Sequence, residues 1–164
     1  MDVASKTLET LQLLVRHGVD FIVVGAAAAI LEGAPIATLD LDIMPRPSPE
    51  DRERLLRALQ EIHARYLDPA GRHIVPDAGK LDSLRLHRLV TDLGPLDVLS
   101  TIGNGMTYDD LSGETILHDL GEMTVRVLNL AMVIRSKEEA NRDKDRAVLP
   151  ILRRTLQLKE GSST

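Results

Sequence analysis

The chain has no cysteine and no tryptophan, and only one phenylalanine and two tyrosines among its 164 residues. Without thiols it can form neither disulfides nor thiolate metal sites, and a reducing, cytoplasmic setting is expected. Aromatic residues make up only 2% of the chain, too few for the stacking platforms that hold single-stranded nucleic acid. A formal net charge of -5 works against broad, sequence-independent binding to phosphate backbones, while leaving room for a local basic groove. The longest apolar run, Phe21 to Leu31, is too short to span a bilayer. No basic region followed by an apolar run marks a signal peptide, so no membrane partner is expected. The histidines (His17, His63, His73, His87, His118) lack zinc-ligand spacing. No Ser-His-Asp set, P-loop or complete Gly-x-Gly-x-x-Gly fingerprint occurs.

What is present is a hydrophobic content of 43%, enough for one packed domain. The expected bounds are 1–158, with 159–164 as a disordered tail. Apolar spacing from Val3 to His17 predicts a helix that Gly18 stops. Phe21 to Val24 reads as a strand buried on both faces, and Gly25 frees the backbone to turn into a short alanine helix. Such a corner can receive phosphate on its free N–H groups, or it can be simple close packing of helix on sheet. Ser48 and Pro49 open a helix expected to continue to about Tyr66. Asp68 to Lys80 reads as loop, with a short strand at His73–Val75. Leu84–Val90 and Leu96–Ser100 read as a hairpin. Ile102 to Gly121 is irregular, Met123–Leu128 a last strand, and Asn129 a helix cap. A second helical segment, continuous with that helix or after a break, runs from Glu138 to Leu158, with Ala140, Ala147, Val148, Ile151, Leu152, Thr155 and Leu156 facing inward.

The chemistry concentrates in three carboxylates. On a strand, Asp40 and Asp42 share one face about 7 Å apart, with Leu39, Leu41 and Ile43 behind them. Like charges side by side call for a counter-charge, and a divalent metal is the usual one. Asp97 interrupts another apolar strand, where a charge is costly unless paired or metal-bound. Three such acids downstream of a glycine corner suit a two-metal phosphoryl-transfer site, whose ions stand ~3.5–4 Å apart. Lys137 and Lys144 fall on or beside the inward helical stripe. Their stems can pack while the ammonium groups reach water, or they can point at the acids.

Taken in order, these motifs resemble the nucleotidyltransferase superfamily typified by DNA polymerase beta. The family's strand–Gly-Gly or Gly-Ser corner is similar to Val24-Gly25-Ala26, its Asp-x-Asp to Asp40-Leu41-Asp42, and its later acid to Leu96-Asp97-Val98. The small bacterial AbiEii-like and MenT-like members, some of them toxins of toxin–antitoxin pairs, are more similar still. Their Thr-x-Asp-h-Asp-h (h being hydrophobic) resembles Thr38 to Ile43, their Gly-x-h-Asp resembles Gly94 to Asp97, and their Lys-x-x-Ala-x-Arg-x-Lys-Asp resembles Lys137 to Asp145. Ala26 departs from the usual Gly or Ser, Ile36 from a common arginine, and Val148 from a second acid.

The resemblance implies a single α/β (α+β) domain with a mixed, mostly antiparallel sheet flanked by helices. It implies transfer of a nucleoside monophosphate from an NTP such as ATP to a hydroxyl of a tRNA, a protein or a small molecule. It further implies Mg2+ (or Mn2+) as cofactor and an antitoxin protein as a partner. Asp40 and Asp42 would bind both ions. Asp97 would help hold the ion that activates the acceptor, and serve as base. Gly25, Ala26 and Thr38 would bind nucleotide, with Lys137 and Lys144 neutralising triphosphate charge. The alternative is a catalytically degenerate nucleotidyltransferase fold kept as a binding module.

Overall fold

Asp2 caps the first helix by accepting a hydrogen bond from Ser5 N at 2.7 Å, and the amphipathic stretch behind it forms α1 (Val3–Arg16). Gly18, in the left-handed region at φ 74, turns the chain into β1 (Phe21–Val24), all four residues of which are buried. α2 (Gly25–Leu31) follows without a linker, and β2 (Leu41–Pro45) returns antiparallel to β1. α3 (Pro49–Glu61) begins at Ser48, whose hydroxyl accepts from Asp51 N, with proline in the first turn. Next come β3 (Arg65–Tyr66), α4 (Ala78–Ser83) and the β4 (Leu86–Thr91)–β5 (Gly94–Leu99) hairpin. A separate small hairpin of β6 (Thr101–Ile102) and β7 (Met106–Thr107) leads to α5 (Tyr108–Leu111). β8 (Thr115–Asp119) and β9 (Thr124–Leu128) precede α6 (Leu130–Ala140) and α7 (Asp143–Ser162). This computed structural model describes residues 1–162.

The main sheet has seven strands in the order β3-β4-β5-β2-β1-β9-β8. Two neighbouring pairs are parallel, β2 with β5 and β1 with β9, and the rest are antiparallel. Ile22, Val23, Ile43, Met44, Val127 and Leu128 sit fully buried at the centre. At about 25 cal/mol per Å2 of apolar area removed from water, this layer dominates the stability. The α+β, mixed and mostly antiparallel architecture is the one expected. Among the described residues no helix is long and apolar enough to cross a membrane.

Several local expectations are corrected. Helix α3 ends at Glu61 rather than near Tyr66, because His63 takes a left-handed φ of 51 and Arg65–Tyr66 pair with β4. His73–Val75 is not a strand, although Tyr66 N does donate to Ile74 O at 2.8 Å, and Lys80 lies in α4 rather than in a loop. The stretch read as irregular holds the small hairpin, α5 with its Thr107–Asp110 capping box, and β8.

The two last helices are separated by Asn141 in the left-handed conformation, φ 50. Within α7, Leu152 and Thr155 are buried and Val148 and Leu156 pack partly against the core, as expected, joined by Asp145 and Leu149; Ala147 and Ile151 are exposed instead, as is Ala140 at the end of α6. Nor are residues 159–162 a disordered tail. α7 continues through them, and Lys159 Nζ donates to the Glu32 backbone oxygen at 2.9 Å and lies 3.3 Å from its carboxylate. His118 Nε2 lies 2.6 Å from the same buried carboxylate, so three elements meet there. The end of the expected tail, residues 163 and 164, lies outside the described residues.

Candidate active site

β2 and β5 run parallel, and their register sets Asp42 directly beside Asp97. Neighbouring residues in register share a sheet face, so the two carboxylates belong to one patch. Val24 stands across from Asp42 on the other side, and the next residue, Gly25, has φ 64. A Cβ built on Gly25 would collide with Asp42 Oδ2. The glycine is thus required twice, by its backbone conformation and by the carboxylate resting on it.

Asp42 is mostly buried, and its Oδ1 has no hydrogen-bond partner. An orphaned oxygen of this kind costs on the order of 1–3 kcal/mol, more if charged, unless something outside the chain satisfies it. Burial, reinforced by the negative charges of Asp97 and Asp40, pushes the Asp42 carboxyl up to about 7, against the opposing pull of Lys137 and Lys144. Asp97 is raised too, first by burial and then by Asp40, with Arg88 and Lys144 acting the other way. Arg88 is the cross-strand partner of Asp97 on β4.

Asp40 differs from the expectation. It precedes β2 rather than lying in it, and is exposed. Leu39, expected to pack behind it, is 70% exposed. A short turn accounts for this: the Thr38 hydroxyl accepts from Asp40 N at 3.1 Å, so Thr38 shapes the approach to β2. Among the described residues, no three His, Cys, Asp or Glu side chains are gathered closely enough to hold a metal ion. The buried pair is Asp42 with Asp97, and Asp40 acts on both from farther out through its charge.

A cavity of about 470 Å3 opens over this patch, with Gly25, Asp42, Lys137 and Arg142 in its wall. Lys137 projects from α6 and is only 12% exposed, while Lys144 is exposed on α7. Lys137 Nζ stands 3.5 Å from Asp145 rather than on the acidic pair, and both lysines act on Asp42 through their charge. Ala26, partly buried, follows Gly25 in α2.

Residue spacing alone gives Arg142 and Asp145 no role. In the structure Asp145 is fully buried and saturated. It accepts from Arg142 N at 3.1 Å, Nε at 2.7 Å and Nη2 at 3.2 Å, and Lys137 Nζ stands 3.5 Å away. This carboxylate ties the α6–α7 corner together and fixes two cations in the cavity wall. The Arg-x-x-Asp spacing after a helix break was the available signal, since it seats an ion pair on a first helical turn.

No protein-family model matches the chain, and no curated protein matches it either. Among solved structures, one of a Thermotoga maritima protein described as a candidate nucleotidyltransferase is similar. The match covers 87% of this chain and 89% of that one, at 18% identity and a TM-score of 0.56. At that identity the likeness speaks to architecture alone. The chain shares the α+β fold of that protein.

Proposed function

We propose that the chain transfers a nucleoside monophosphate from an NTP to a hydroxyl acceptor, releasing pyrophosphate, with Mg2+ or Mn2+ as cofactor. The observation that carries this reading is the buried, unpartnered Asp42 Oδ1 beside Asp97, above a glycine that leaves room for the carboxylate. An all-oxygen donor set suits hard divalent cations. Asp42 and Asp97 would hold the ion, and Asp40 would add a third negative charge at the rim. When bound, such ions lower the pKa of the acceptor hydroxyl and offset charge on the transferring phosphoryl group.

The chain's own residues do the rest. Lys137 and Arg142, held by Asp145, bind the triphosphate from the α6–α7 side, and Lys144 adds positive potential from outside. Gly25 and Ala26 border the phosphates from the β1–α2 corner. Asp97, half-buried and more open than Asp42, takes the acceptor's proton.

Incubation with α-labelled NTPs, Mg2+ and cell extract tests the reading. Label should move to an acceptor with release of pyrophosphate, and Asp42→Ala or Asp97→Ala should abolish it. The labelled molecule then identifies the acceptor as tRNA, protein or small molecule. Release of phosphate instead would indicate a hydrolase. The proposal extends to a toxin neutralised by an antitoxin, read out as growth arrest on expression that Asp42→Ala abolishes.

One observation favours a non-catalytic module instead: three carboxylates are not gathered among the described residues. On that reading no nucleotide with Mg2+ or Mn2+ would raise the melting temperature of the wild-type chain.

A further inference from the structure

The cavity over Asp42 continues past the acidic pair, and its far end is chemically different. The floor there is the cross-strand pair Leu86 and Leu99. Leu99 lies two residues beyond Asp97 on β5. One strand face therefore carries the carboxylate and then, about 7 Å on, the leucine. That step is close to the reach of a ribose between a phosphate and its base. Two leucines form an apolar shelf on which a flat ring can lie, and they give a phosphate nothing to bind.

Arg85 and the β6–β7 turn, Gly103–Asn104, stand at the edge of the shelf. The turn is pinned to α6. Asn104 N donates to Glu139 Oε1 at 3.0 Å, while Arg135 Nε holds Glu139 Oε2 at 3.0 Å. A Cβ on Gly103 would collide with that same carboxylate oxygen, so the approach depends on glycine. Arg85 Nη2 donates one long hydrogen bond, 3.5 Å, to Gly103 O. A guanidinium carries five N–H donors and no acceptor. One long bond leaves most of that donor capacity at this end of the cavity.

Resting on the nucleotidyl-transfer reading above, we propose that this end is the nucleobase subsite and that Arg85 selects the base. The subsite takes guanine and uracil in preference to adenine and cytosine. Guanine O6 and uracil O4 accept a hydrogen bond where adenine and cytosine present an amino group. At that exocyclic position a donor-only side chain finds an acceptor in the first two and an amino group in the second two, where only the neighbouring ring nitrogen accepts. Chemically, the substrate class is a 6-oxopurine or 4-oxopyrimidine nucleoside triphosphate. Discrimination on the order of tenfold is expected from one such contact.

The test is calorimetric titration, in Mg2+, of the α,β-methylene analogues of the four NTPs, with inorganic tripolyphosphate as a probe lacking a base. The wild-type chain should bind the guanosine and uridine analogues about tenfold more tightly than the other two. Arg85→Met should bring all four within about twofold and leave tripolyphosphate affinity unchanged. Arg85→Lys keeps the charge without the planar fork, and should also lose most of the preference. Because Arg85 is exposed, both variants should melt with the wild type; if Arg85→Met does not fold, Arg85→Lys carries the test. Equal binding of all four analogues by the wild type, or a preference for adenosine and cytidine, overturns the proposal. So does an Arg85→Met variant that loses tripolyphosphate along with every nucleotide, since Arg85 would then be a phosphate contact. Tripolyphosphate binding without base preference overturns this inference alone. Failure of every nucleotide and of tripolyphosphate to bind overturns the parent reading with it.

Discussion

Two carboxylates beside the cavity, Asp145 and Asp42, are opposites. Asp145 is fully buried, yet its oxygens are occupied by Arg142 and Lys137. Asp42 is less deeply buried, yet one of its oxygens has no partner and the largest charge effects on it come from acids. Burial pushes Asp145 up, but the bonds from Arg142 outweigh it and hold the carboxyl below its ordinary range. Burial pushes Asp42 the same way, and its neighbours add to the effect. Burial of a charge is therefore no mark of function. Burial left uncompensated by the fold is, because a stable protein has no structural use for it.

The contrast can be broken most sharply at Asp42. Asp42→Ala should cut metal-dependent label transfer by roughly a thousandfold or more, the scale of losing a group that acts on the transition state. The fold should survive, as circular dichroism would show. Survival of transfer within tenfold would remove the acidic pair from the chemistry.

Asp145→Ala should do the reverse, harming stability first. Removing one partner of a buried ion pair costs about 3–5 kcal/mol, measured by urea unfolding. Replacement without loss of stability would show that Arg142 and Lys137 do not need their anchor.

The two groups should also respond oppositely to pH in EDTA. Folded Asp42 keeps its proton to about 7, whereas the unfolded chain releases it near the ordinary 3.8. The folded state then binds more protons across that window, so stability falls as pH rises from about 4 through 7. Asp42→Asn should abolish this slope and stabilise the metal-free chain at pH 8 by roughly 2–4 kcal/mol. Asp145, lowered in the folded state, contributes stability above its unfolded pKa that is lost as pH falls through its folded value. Chemical denaturation across pH 3–8, in wild type and Asp42→Asn, checks both signs.

The smallest effect should come from Lys144. It is exposed, and solvent screening limits what one surface charge does. Lys144→Met should raise KM for NTP by a few-fold, more at low salt than at high, with kcat nearly unchanged.

Much of the fold could be read from the chain. Phe21–Val24, Ser48 with Pro49, and the hairpin around Asp92–Gly94 carry local signals that neighbouring residues suffice to produce. Errors arose where distant contacts overrule those signals. Arg65–Tyr66 joined the sheet because β4 was there to pair with, and residues 159–162 stayed helical against buried Glu32. The stripe of α7 holds at Val148, Leu152, Thr155 and Leu156, whereas Ala140 belongs to the preceding helix, which left-handed Asn141 ends. In the site, Gly25, Asp42 and Lys137 line one cavity, and Asp97 is in register beside Asp42. Asp40 falls outside the strand, because the Thr38 turn delays its start until Leu41.

The sequence by itself determined which residues carry the acids, where glycine frees the chain to turn, and which chemistries were closed for lack of thiols and rings. Those properties depend on side-chain identity and local backbone geometry. Only the tertiary structure decided that Asp42 lies against Asp97 with an oxygen left bare, and that Asp145 is neutralised. Both outcomes hinge on strand pairing and helix packing between segments remote in the chain, where desolvation and the charges brought near set each carboxylate's state.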